Sequence, residues 1–73
     1  MLKKHSIIIA GHASSVSLEP EFWDELKSIA ERQGTSINQL VSQIDAERGG
    51  NLSSAIRVFI IKDMRARLTA AHA

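Results

Sequence analysis

The sequence predicts a mostly α-helical fold that carries a β-ribbon. Three observations lead there. Residues 12–18, "HASSVSL", alternate small polar and apolar side chains with the period of a strand. Two stretches of helical apolar spacing follow, parted by the single Gly34. A third stretch of helical apolar spacing, from Leu52 to Leu68, is apolar around most of its circumference between Ala55 and Ile61.

The strand region spans 4–18. It opens with Ser6-Ile7-Ile8-Ile9, a β-branched run suited to a buried strand. Ala10-Gly11 is a candidate bend. The pairing of Ile7–Ile9 stays open: it either extends the ribbon or folds back beside it as a hairpin. In 12–18, Ser14, Val16 and Leu18 point one way and Ala13, Ser15 and Ser17 the other, with Val16 and Leu18 marking the buried face.

Pro20 suits the first turn of a helix over 20–33, where its missing N–H costs nothing. Glu21, Asp24 and Glu25 favour the positive end of that helix's dipole. Phe22, Trp23, Leu26, Ile29 and Ala30 form its apolar stripe, and Gly34 closes it. The second helix, 36–48, begins at Ser36 as N-cap, with Gln39 three residues on as its capping-box partner. Ile37, Leu40, Val41 and Ile44 are its apolar side. Gly49-Gly50 breaks the pattern. Asn51 or Ser53 then caps a third helix over 52–68, and "TAAHA" reads as a frayed tail.

With 73 residues the chain makes one domain, 1–73, and a core of that size is marginal for a chain folding alone. There is no cysteine, which removes disulfides and thiolate metal sites. His5, His12 and His72 form no helical ligand pair, so neither metal nor cofactor is expected. Yet 44% of the residues are apolar. The simplest resolution is a homodimer sharing one core, drawn from Val16, Leu18, Trp23, Ile37, Leu40, Val41, Ile44, Ile56, Phe59 and Ile60. The apolar run at Ile7–Ala10 is too short for a membrane span or a signal peptide, which suggests a cytoplasmic protein. The net charge is only +1, with basic residues at the two ends and acidic ones between. No paired-carboxylate cleft, phosphate loop or oriented nucleophile is visible, so an enzyme is not expected.

The order strand, helix, helix, with a one-glycine turn, resembles the ribbon-helix-helix DNA-binding domain of the Arc and methionine-repressor type. The resemblance rests on "SVSLEPEFWDELKSIAERQGTSINQLVSQI", residues 15–44. The flanking "KKHSIIIAGHASSVSLEPEFW" and "GGNLSSAIRVFII" are similar to a short bacterial subfamily with a long first strand and an extra helix. The resemblance implies an intertwined homodimer whose two strands pair antiparallel, one face on the helices and the other in the major groove of duplex DNA. Ala13, Ser15 and Ser17 would then read bases. Thr35, Ser36, Ile37 and Asn38, at the start of the second helix, would hold phosphate, helped by Lys3 and Lys4. It implies a bacterial transcriptional regulator, a repressor in the simplest case. The alternative is a protein-interaction module or antitoxin-like dimer, favoured by the lack of Arg or Lys at the three ribbon positions.

Overall fold

A computed structural model describes residues 1–47 and 50–72. The order is β1 (Lys3–Ile9), β2 (His12–Leu18), α1 (Pro20–Gln33), α2 (Ile37–Glu47) and α3 (Leu52–His72).

The Ile7–Ile9 segment folds back. β1 and β2 form an antiparallel pair in which Ile9 faces His12, Ile7 faces Ser14, His5 faces Val16 and Lys3 faces Leu18. The turn is Ala10-Gly11, with φ of 52° and 80°. Two residues in this left-handed region make the tight turn whose twist matches paired strands. Closing so short a loop costs little entropy, so β2 pairs with β1 of its own chain, one edge of β2 being taken this way.

The α1 boundaries follow the sequence. Pro20 opens it after Glu19, whose backbone is extended. Gly34, at φ 68°, closes it; Gly34 N–H donates to the Glu31 carbonyl and Thr35 N–H to that of Ala30. Asn51 is the cap of α3, its Oδ1 accepting from Ser54 N–H at 3.1 Å. The expected end of the second helix at Arg48 and the break at Gly49 lie outside the described residues. The expected frayed tail is a correction: α3 continues past Leu68 to His72. Thr69-Ala70-Ala71 offers nothing that stops a helix, and alanine is its best former.

The core closes within one chain. Ile7, Val16, Leu18, Leu26, Ile29, Ala30, Leu40, Val41, Ile44, Ile56 and Ile60 are buried together, with Phe22, Trp23, Ile37 and Phe59 packed around them. Most positions expected at a shared dimer core are therefore covered by the chain's own elements. β1 contributes Ile7 and α3 contributes Ile56 and Ile60. The face of α3 left open is another one: Val58, Ile61, Met64 and Leu68 remain exposed, at 52, 41, 38 and 60%. Val58 and Ile61 lie on the side of the helix turned away from Ile56 and Ile60, whereas Met64 and Leu68 lie further along the helix, closer to the Ile60 side.

Arg57 and Arg67, two of the basic residues near the C-terminal end, are committed internally. Arg57 donates through Nε and Nη2 to one oxygen of Glu19, at 3.0 and 2.9 Å, and lies over the Phe22 ring. Arg67 and Arg32 share Glu25 and Asp63, joining α3 to α1 at 2.8–3.5 Å. Lys62 and Arg65 are exposed.

Candidate nucleic-acid interface

The turn geometry decides which way each ribbon residue faces. A two-residue loop makes Ile9–His12 a hydrogen-bonded rung, so Ile8–Ala13, Ser6–Ser15 and Lys4–Ser17 are the alternate rungs, whose backbone N–H groups point away from the partner strand. Ile8 N–H does so: it donates to Asn38 Oδ1 of α2 at 3.1 Å. Residues paired across a rung share a face of the sheet. His5, Ile7 and Val16 therefore face the helices, while Lys4, Ser6, Ile8, Ala13, Ser15 and Ser17 share the outer face.

Ala13 and Ser15 are exposed on that face and Ser17 is half-buried. Ser14, on the inner side opposite Ile7, is also exposed, because it lies near the turn where helix cover ends. Lys3 pairs with Leu18 at the open end of the hairpin, and its side chain is exposed.

The α2 start has the expected capping box. Gln39 N–H donates to Ser36 Oγ at 3.1 Å, and Ser36 N–H to Gln39 Oε1 at 3.4 Å; Thr35 Oγ1 donates to the same Oε1 at 2.7 Å. The first intrahelical bond runs from Leu40 N–H to the Ser36 carbonyl. Ile37 and Asn38 thus occupy the first turn, where N–H groups lack intrahelical acceptors and anions are favoured. Ile37 is half-buried and offers mainly its amide, whereas Asn38 is exposed and spends its carbonyl oxygen on β1. This contact, between residues 30 apart in the chain, carries no sequence signal. It brings the hairpin turn beside the helix start, so that Ile8, Ala10, Gly11, Thr35, Asn38 and Gln39 line one groove.

Trp23 is not displayed for stacking on a base. Its ring lies flat on His5, with centroids 3.7 Å apart and planes at 4°. His5 Nε2 is buried without a hydrogen-bond partner among the described residues. His5 and His12 are separated by the intervening Ile7–Ser14 rung. Among the described residues no three potential ligands gather into a metal site, and no helix is long and apolar enough to cross a membrane.

Glu19 ends the outer strand region. A hydrogen bond from its own main chain and then the Arg57 guanidinium hold its carboxyl below the usual carboxylate range. Its charge is thereby turned toward α3 rather than left beside Ser17.

A family model described as "Ribbon-helix-helix domain" matches residues 2–64. The solved structure of an uncharacterized protein from Bordetella pertussis Tohama I is similar to this chain, at a TM-score of 0.80 and 28% identity, over 96% of this chain and 61% of that one. The chain thus spans under two thirds of that protein. Among curated proteins no relative matches. Domains of this kind are in general DNA-binding or antitoxin-like regulators, typically dimeric and typically without enzymatic activity.

Proposed function

We propose that this chain, which belongs to the ribbon-helix-helix domain family, is a homodimeric, sequence-specific DNA-binding regulator of transcription, a repressor in the simplest case. One observation carries the reading: a solvent-facing strand surface of small polar side chains shares its turn end with a helix N-terminus, where first-turn amides have no intrahelical acceptor. The two strands are about 4.8 Å apart, which fits a major groove about 12 Å wide. Ala13, Ser15 and Ser17 approach base edges, and each serine hydroxyl can donate and accept. Thr35, Ser36, Ile37 and Asn38 hold a phosphate beside the turn, Lys3 reaches another from the open end of the hairpin, and these contacts fix the register without reading sequence.

Magnitudes also choose how two subunits meet on this reading. Joining β2 edges would give four strands, about 14 Å between the outer axes. That is wider than the roughly 12 Å groove. Contact through the exposed α3 residues Val58, Ile61, Met64 and Leu68 leaves each hairpin free.

Anisotropy with duplex DNA across a salt series tests the reading. Binding that weakens steeply as salt rises supports it, and Ser15→Ala with Ser17→Ala should reduce the preference for a selected site. No binding to genomic duplexes at ~50 mM salt sinks it and leaves the protein-interaction alternative.

A further inference from the structure

The outer face of the ribbon belongs to both strands, and its two ends differ in chemistry. At one end Lys4 lies directly across from Ser17. In the middle Ser6 lies across from Ser15. At the turn end Ile8 lies across from Ala13, an apolar pair turned outward, with Ile8 53% exposed. Ile8 takes no part in the buried core. The backbone at this rung is nevertheless anchored, since Ile8 N–H is held by Asn38 Oδ1 at 3.1 Å. An exposed isoleucine on a pinned strand, in line with a lysine four residues away, is a graded surface rather than a uniform polar one.

We propose that β1 supplies half of the base-reading surface, Lys4 selecting guanine and Ile8 with Ala13 selecting a thymine methyl group. This rests on the groove-reading function proposed above and gives it a sequence preference. Guanine presents two acceptors, O6 and N7, in the major groove, which an ammonium group can engage. Thymine presents its C5-methyl group, which aliphatic side chains contact. The serines between them accept any base pair. Four residues of strand span about 13 Å, and base pairs rise about 3.4 Å each. The favoured guanine and thymine should therefore stand about three to four base pairs apart. Lys4 acts here on bases, not on phosphate as Lys3 does.

The experiment selects bound sites from a random duplex library with the wild-type chain, Lys4→Gln and Ile8→Ser. Both changed positions are exposed, and thermal melting confirms that each variant folds. The expected result is a wild-type site with a guanine and a thymine at this spacing. Lys4→Gln should lose the guanine preference and bind the selected site about 10- to 100-fold more weakly. Replacing the selected thymine with deoxyuridine removes only the methyl group. It should weaken the wild type several-fold and leave Ile8→Ser unaffected. Uniform weakening by Lys4→Gln, with a salt slope shallower by about one and the guanine preference kept, makes Lys4 a phosphate contact and overturns the proposal. Equal binding of thymine and deoxyuridine sites overturns it as well. A wild-type chain that selects no sequence at all overturns the groove-reading function itself, and this inference with it.

Discussion

At the scale of single residues, the junction of β1 with α1 holds an uncompensated group. His5 is positioned by its stack on Trp23, and its Nε2 is buried with nothing to bond among the described residues. Such an atom costs about 1–3 kcal/mol. Phenylalanine keeps the stack and removes the orphan. His5→Phe should therefore raise stability by about 1 kcal/mol, near the low end because the residue is only partly buried; chemical denaturation measures it, and an unchanged or lower midpoint contradicts the account. Glu19 makes the opposite case. Its carboxyl is held low by its own main chain and by Arg57, so its folded-state pKa lies below the ordinary 4.5. The stabilisation is thus complete above that ordinary value and disappears as pH falls through the folded one. Glu19→Gln should flatten the fall in melting temperature below about pH 4.5 and leave the profile's shape near neutrality alone.

At the scale of elements, the hairpin turn is the place where local chemistry is suboptimal. Ala10 adopts φ 52°, a conformation that costs a side chain with a Cβ about 1–2 kcal/mol. Asparagine tolerates it, and Asn-Gly is the preferred pair for this turn. Ala10→Asn should stabilise the chain by about 1 kcal/mol, and amide exchange in β1 should slow accordingly. Faster exchange would mean that the turn is not the limiting strain. The helices show which signals reach the sequence. Pro20, Gly34, Ser36 and Gln39 mark ends by mechanisms confined to a few neighbouring residues, and those ends fall where the residues place them. The strand pairing was not legible. Ala10-Gly11 permits a hairpin, but alternation in β2 is equally satisfied by a partner strand from another chain. The continuation of α3 through His72 was obscured for a different reason. Good helix formers in its last turn carry no apolar period once nothing packs on them. In the candidate interface, the capping box could be read directly, and the grouping of Ala13, Ser15 and Ser17 followed from alternation. The addition of Lys4, Ser6 and Ile8 required the register, and the Asn38 contact required the fold.

At the scale of the whole molecule, size alone suggested that one subunit could not enclose a core. It does so because two elements outside the minimal strand-helix-helix unit do the covering. β1 lays Ile7 over the centre, and α3 inserts Ile56 and Ile60. What remains open on α3 is the set of Val58, Ile61, Met64 and Leu68, on a helix about 31 Å long. The proposed dimer is then two finished subunits touching, rather than two unfinished ones interwoven. Ile61→Lys with Leu68→Lys should leave the melting temperature of the isolated subunit nearly unchanged while shifting sedimentation to the monomer. Loss of folding in that double variant would show that the core depends on the contact.

The local Ala10-Gly11 loop has a kinetic consequence. Chains interlaced through their strands must unravel before they can trade places, whereas subunits whose hairpins are each closed on themselves need only separate. For the dimer proposed above, mixing differently tagged preparations at ordinary temperature should therefore yield hybrid pairs on the timescale of dissociation, long before either preparation unfolds, and two related copies in one cell would populate mixed species according to their relative abundance.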